Sequence, residues 1–100
     1  MRPGMFYVEN TARSPRSPGV HWMAVAMSAS GTPHVYDSFA RPGARMLWKT
    51  ARMNRWGSGA IRNSDMSDAE QRGKSAICGH LCLAWLLTAR DLGVTAAMTI

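Results

Sequence analysis

The sequence contains few cysteines, few acidic residues and no long apolar run. Two cysteines in 100 residues cannot form a disulfide framework, so we expect an intracellular, reducing compartment. No stretch approaches the roughly 18 apolar residues that a membrane helix requires, and no membrane contact is therefore expected. The N-terminal decapeptide MRPGMFYVEN lacks the apolar centre of a signal peptide.

The composition predicts one small, basic domain over residues 1–100. The apolar fraction of 46% is ordinary for a globular protein. Twelve Lys and Arg residues against six Asp and Glu give a formal net charge of +6. Such an excess favours a polyanionic partner, although a merely soluble basic surface explains it equally well.

Turn residues and apolar periodicity predict an α+β fold. Two apolar runs, 20–28 and 34–39, flank the turn-like segment 29–33 and indicate a β-hairpin. Residues 44–56 show a helical apolar stripe, and a short strand is predicted at 59–62. The stripe consists of Ala44, Leu47, Trp48 and Ala51, and the basic residues Arg45, Lys49 and Arg52 lie on an adjoining face.

A second helix is predicted from Cys78 to Leu92, with Gly93 as its C-terminal stop. The segment LCLAWLL is apolar on every side, which predicts a helix buried all round. The expected architecture is a small central β-sheet packed on this buried helix.

Cys78, at the first turn of that helix, has three interpretations: core packing, a metal ligand or a nucleophile. The helix N-terminus favours a thiolate over a thiol. A nucleophile needs an oriented base, and the hairpin would bring His21 and Asp37 to the same open end. His34 would lie beside the turn, at the other end. A histidine in a strand and a cysteine in an apolar helix are, however, both common core residues.

Two further interpretations concern the neighbours of Cys78. Gln71, seven positions earlier, and the Cys78 backbone N–H could together stabilise an oxyanion. A zinc site formed by Cys78, His80 and Cys82 lacks paired-ligand spacing, so no metal is expected. Cys82 is interpreted as core packing.

Three sequence blocks resemble the adenovirus-type cysteine proteases and, more distantly, the SUMO-deconjugating proteases of the same clan. GVHWMAVA (19–26) resembles that family's histidine block, and VYDSF (35–39) resembles its acidic block. QRGKSAICGHLCLAWL (71–86) resembles the glutamine and nucleophile block. VENTARSPRSPG (8–19) faintly resembles the strand and loop before the histidine block, so the similarity spans about residues 8–90.

The resemblance implies a cysteine endopeptidase that cuts after small, glycine-like residues. Its roles would be His21 as base, Asp37 as orienting acid, Cys78 as nucleophile and Gln71 as oxyanion donor. Trp22 and Gly79 would line the substrate cleft. The implied substrate is a viral or mobile-element structural precursor, in the host nucleus or the virion.

The resemblance also implies that no cofactor is required and that DNA could act as an activator. Non-specific DNA would then bind the predicted basic face of Arg45, Lys49 and Arg52.

The chain departs from the family in three ways. It is about half the usual length, so elements of the substrate groove are expected to be missing. It lacks the cysteine that pairs with an activating peptide, and Ala40 stands where a glycine usually follows the phenylalanine. Two alternatives therefore stay open: a deconjugase for ubiquitin-like proteins, and an inactive truncated relative or basic nucleic-acid-binding protein using the 41–55 helix.

Overall fold

The predicted hairpin forms in the computed structural model of the chain. The structure describes residues 1–10, 21–41, 43–57, 59–64 and 78–99, and for residues 44, 45, 78 and 79 it describes the backbone alone. Strands β2 (Trp22–Met27) and β3 (Pro33–Tyr36) are antiparallel, with Ala24 opposite Tyr36. Gly31, with a φ of 86°, provides the left-handed residue of the connecting turn.

Two more strands complete a four-stranded sheet within the described residues. β1 (Phe6–Asn10) pairs antiparallel with the other edge of β2. β4 (Arg62–Asn63) pairs in parallel with β3, close to the predicted strand at 59–62. The order in space is therefore β1-β2-β3-β4, and together with the helices it confirms the α+β class.

Strand β2 is buried from Met23 to Met27 because both faces of the sheet are covered. Helices α3 (Cys78–Leu92) and α4 (Val94–Ala97) pack on the face that carries Ala24 and Ala26. On this face the Trp85 ring stacks on Tyr36 at 5.6 Å, and Trp85 Nε1 donates to the Ala97 carbonyl at 2.9 Å. Truncating such a buried Trp typically costs about 3–5 kcal/mol.

The opposite face of the sheet is covered by α1 (Gly43–Met46) and by Leu47, which packs against Met23, Val25 and Val35. Gly43 is required at this contact, because a Cβ there would lie 2.9 Å from the Val35 side chain. The continuous helix predicted for 44–56 is wrong. Leu47, with φ −112° and ψ 35°, separates α1 from α2 (Trp48–Met53).

The predicted apolar stripe of this region is also only partly buried. Leu47 is 3% exposed, but Trp48 is 55% exposed, and α2 has no buried residue. The core on this side is already filled by the sheet residues and Leu47, so the next apolar side chain remains in solvent.

Helix α3 has the predicted bounds, and Gly93, at φ 90°, ends it. The prediction that α3 is buried on all sides is wrong, since Leu83, Leu87 and Leu92 are exposed. Only one face of α3 packs on the sheet; its buried residues are Cys82, Trp85, Leu86 and Ala89.

Candidate active site

The hairpin register brings His21 and Asp37 to one end of the sheet. His21 directly precedes β2, and Asp37 directly follows β3. Continuing the β2–β3 register places His21 near Phe39, and their ring centroids lie 5.1 Å apart. His21 Nε2 lies 2.7 Å from Asp37 Oδ1. The pairing expected from the hairpin is therefore present.

The Asp37 carboxylate accepts three hydrogen bonds although its side chain is only 1% exposed. Oδ1 accepts from His21 Nε2 and from the Phe39 N–H at 2.8 Å, and Oδ2 accepts from Arg41 Nε at 2.9 Å. Burial raises the pKa of Asp37, but the bonds from His21 and Phe39 and the charges of His21 and Arg41 outweigh burial, so the pKa lies below its ordinary value.

The tautomer of His21 follows from the ionised state of the Asp37 carboxylate. A carboxylate can only accept hydrogen bonds, so His21 Nε2 must carry the proton that it shares with Asp37. In the neutral ring, Nδ1 is then the nitrogen with an acceptor lone pair. A general base built on His21 would use Nδ1, with Asp37 stabilising the imidazolium through Nε2.

A tight turn directs the chain from Asp37 to Arg41. The Ala40 N–H donates to the Asp37 carbonyl at 2.8 Å, and Ala40 has a φ of 58°. The Phe39 ring contacts both partners of Asp37: Arg41 Cζ lies 5.0 Å from its centroid, and the His21 ring centroid lies 5.1 Å from it. Ala40 occupies the position where the adenovirus-type proteases, which the sequence blocks resemble, usually have glycine. The left-handed φ of Ala40 is one that glycine favours.

The first turn of α3 lies at the same end of the sheet. Cys82 Sγ donates to the Trp22 carbonyl at 3.2 Å, and Trp22 is the residue after His21. The backbone of Cys78 begins α3, one turn before Cys82 and on the same helix face. The Cys78 side chain and all of Gln71 lie outside the described part of the chain, and Gly79 is described by its backbone conformation alone.

Two tryptophans and the second cysteine have distinct environments. Trp22 is 37% exposed, and it borders the His21 end of β2. Cys82 is fully buried, consistent with core packing. Trp48 lies in α2, where Lys49 Nζ is 5.4 Å from its ring centroid.

The predicted basic face is only partly described. Lys49 and Arg52 are exposed on α2, whereas Arg45 lies in α1 with its side chain outside the described residues. Arg41, which precedes α1 in the chain, pairs with Asp37. Arg41 and Phe39 are the site residues that sequence reasoning missed. The usable signal was the spacing of four residues between Asp37 and Arg41, which the sequence itself shows.

His34 lies away from this end, as the hairpin predicted. It pairs with Ala26 near the β2–β3 turn, and its Nδ1 is buried without a hydrogen-bond partner among the described residues. Burial and the charge of Arg62 lower the pKa of His34. In the described part of the chain, no cluster of three or more His, Cys, Asp or Glu residues could hold a metal.

The described helices include none that is long and apolar enough to cross a membrane. No known protein family, curated protein or solved structure matches the chain.

Proposed function

We propose that the chain is a cysteine endopeptidase with His21, Asp37 and Cys78 as its catalytic residues. The observation that carries the proposal is the part-buried His21–Asp37 hydrogen bond of 2.7 Å, formed at the end of the sheet where α3 begins. An oriented imidazole near a helix N-terminus is the environment in which a cysteine becomes a nucleophile.

In the proposed reaction, His21 Nδ1 takes the proton of the Cys78 thiol, and the thiolate attacks the scissile carbonyl carbon. The Cys78 N–H and the Gln71 amide stabilise the resulting oxyanion. The intermediate collapses by breaking the C–N bond, and His21 gives its proton to the leaving amine. Water, deprotonated by His21, then attacks the acyl-enzyme, and the thiolate leaves as the acid product forms.

The proposed substrate is a polypeptide with small residues at the cleavage point. The half-exposed Trp22 beside His21 would narrow the cleft and favour glycine-like residues. By the resemblance, a viral or mobile-element structural precursor is the proposed natural substrate, and a ubiquitin-like conjugate is the alternative. A precursor-derived peptide and a ubiquitin-like fusion, assayed in parallel, distinguish the two.

Thiol labelling tests the nucleophile, and the chain supplies its own control. Cys82 is fully buried, so Cys82→Ser should leave iodoacetamide labelling at neutral pH almost unchanged. Cys78→Ser should abolish both labelling and peptide cleavage. Labelling of Cys78 no faster than that of free cysteine, or mapping of the label to Cys82, contradicts the proposal.

Turnover by the Gln71→Ala variant tests the oxyanion role. Loss of one oxyanion donor typically lowers kcat by about 10²–10³. Unchanged kcat in a folded Gln71→Ala variant would exclude this role for the glutamine.

A second candidate function is non-specific nucleic-acid binding, favoured by the exposed α2 surface of Trp48, Lys49 and Arg52. Binding of a labelled duplex should weaken with salt with a log–log slope of about −0.9 per phosphate contacted. An Arg45, Lys49 and Arg52 triple alanine variant should lower both affinity and slope. Equal affinities of the variant and the wild type would exclude this surface.

A further inference from the structure

We infer that Arg41 is a positioning residue of the active site, which keeps the Asp37 carboxylate charged and oriented toward His21. This inference rests on the proposed function for its catalytic meaning, but its structural content can be tested without turnover. The observation behind it is that two side chains bind different oxygens of the carboxylate, while the Phe39 N–H shares Oδ1 with His21. His21 binds Oδ1 at 2.7 Å, and Arg41 Nε binds Oδ2 at 2.9 Å.

The charge of the Asp37 carboxylate depends on its partners. A buried carboxylate is unfavourable unless it is paired, and the Asp37 side chain is 1% exposed. A neutral His21 contributes a hydrogen bond but no net charge. The Arg41 guanidinium is charged at all relevant pH values, so it is the permanent cation that the described residues bring to Asp37. Arg41 therefore keeps the Asp37 carboxylate ionised, and so a hydrogen-bond acceptor, throughout the proposed catalytic cycle, in which His21 gains and loses a proton.

The orientation of the Asp37 carboxylate depends on bonds to both of its oxygens. A carboxylate held at one oxygen can rotate about its Cβ–Cγ bond, whereas bonds to both oxygens fix its plane. Arg41 also packs on the Phe39 ring, at 5.0 Å from the centroid, and that ring contacts His21. Arg41 thus fixes both the acceptor of the Nε2 proton and the ring that borders the imidazole.

Arg41 differs from the exposed surface arginines in its surroundings. Its side chain is 40% exposed, so part of the guanidinium remains in water while Nε reaches a nearly buried carboxylate. Arg52 is exposed on α2, outside the catalytic site, and serves as a matched control for the loss of one positive charge.

The experiment compares wild type, Arg41→Met, Arg41→Lys and Arg52→Met. Methionine keeps an apolar stem against Phe39 and removes the charge. The His21 tautomer is read by ¹⁵N NMR of the ring nitrogens, and the Asp37 carboxyl is titrated by ¹³C NMR. In Arg41→Met, His21 should populate both neutral tautomers, and Asp37 should titrate at a higher pH than in wild type. Arg41→Lys should restore most of both properties.

Peptide cleavage provides the catalytic readout. In Arg41→Met, kcat should fall by up to about 10²-fold, the scale of a misplaced catalytic group, with KM little changed and partial rescue by Arg41→Lys. NMR behaviour of Arg41→Met identical to that of Arg52→Met would overturn the inference. If Arg41→Met does not fold, Arg41→Gln and Arg52→Gln are compared by the same NMR readouts, and identical behaviour of these two variants would likewise overturn the inference. A wild type that shows the Nε2–H tautomer but cleaves no peptide would refute the proposed function and leave the Arg41 inference standing.

Discussion

Two aspartate–arginine pairs in this molecule have the same chemistry in opposite environments. In both, an arginine Nε donates to a carboxylate, at 2.9 Å between Arg41 and Asp37 and at 2.8 Å between Arg90 and Asp91. The Asp37 side chain is 1% exposed, whereas that of Asp91 is 59% exposed. The inner pair is joined by His21 and by a backbone N–H; the outer pair lies at the solvent-exposed end of α3.

The surroundings of these ion pairs, rather than their N–O distances, determine how much each pair contributes. Exposed pairs contribute little because water solvates and salt screens both charges. A buried carboxylate depends on each of its donors, since none can be replaced by bulk water. The inner pair should therefore control both stability and chemistry, and the outer pair neither.

Replacing Asp37 by Asn should give the largest effect. The amide cannot be a charged acceptor for His21, and the equivalent change in an acyl-transfer triad lowers kcat by about 10⁴. Stability should fall by about 1–3 kcal/mol, because buried donors lose their partner. Urea unfolding and peptide cleavage measure both effects. Asp91→Asn is the matched control, and similar losses in the two variants would contradict the comparison.

The pH dependence of stability should show the second-largest difference between Asp37 and Asp91. The folded-state pKa of Asp37 is lowered, so its ionisation stabilises the fold above the unfolded-state value of about 3.9. This contribution is lost as the pH falls through the lower, folded-state pKa. Urea midpoints measured from pH 6 to pH 2 should therefore converge for wild type and Asp37→Asn at the acidic end.

The Asp91→Asn variant supplies the control for the acid titration. Its urea midpoints in moderate salt should run parallel to those of wild type over the whole pH range. A constant gap between wild type and Asp37→Asn down to pH 2 would show that the Asp37 carboxylate does not contribute through ionisation.

The sequence predicted the parts of this site that depend on local patterns. The hairpin followed from turn residues between two apolar runs, and its register was sufficient to bring His21 to Asp37. The bounds of α3 followed from an apolar segment that stops at Gly93. These signals lie within a few residues of the features that they predict.

The sequence did not predict the features of the fold that depend on which helix faces are covered by the sheet. Periodicity gave one helix over 44–56, but the sheet accommodates Leu47 and leaves Trp48 in solvent. The same reasoning made α3 buried all round, although one layer of sheet covers only one of its faces. Helix α4 has four residues, too few for a periodic signal.

Arg41 was missed for a related reason. Its contact with Asp37 depends on the left-handed backbone of Ala40, a conformation that an alanine does not predict.

Replacing Ala40 by Gly should raise the stability of the fold slightly, whereas Asp37→Asn lowers it. Among the described non-glycine residues, Ala40 and Arg55 have positive φ, a conformation that costs roughly 1–2 kcal/mol. Ala40→Gly removes this strain but adds about 0.5–1 kcal/mol of chain entropy to the unfolded state. The variant should therefore be more stable by up to about 1 kcal/mol, with unchanged cleavage.

Ala60, which is not in the left-handed region, gives the control for the turn. Ala60→Gly should be destabilising, because it adds unfolded-state entropy without relieving strain. Destabilisation of Ala40→Gly by the same amount would show that the turn holds Arg41 without strain.

The smallest effect should come from the outer pair. Asp91 is the penultimate residue of α3, where the negative end of the helix dipole disfavours a carboxylate and favours Arg90. The attraction between the two exposed side chains and this repulsion oppose each other, so Asp91→Asn should leave the urea midpoint unchanged or slightly raised. Arg90→Met should slightly lower it, since the dipole loses a favourable cation.

A double-mutant cycle of Asp91→Asn and Arg90→Met, measured at low salt and at 1 M salt, isolates the pair itself. The coupling should be small at low salt and vanish at high salt, because the Debye length falls from about 30 Å at 0.01 M to about 3 Å at 1 M. The corresponding cycle of Asp37→Asn and Arg41→Met should keep its coupling at 1 M salt. If both couplings vanish together, solvent screens the inner pair as fully as the outer one, and burial does not distinguish them.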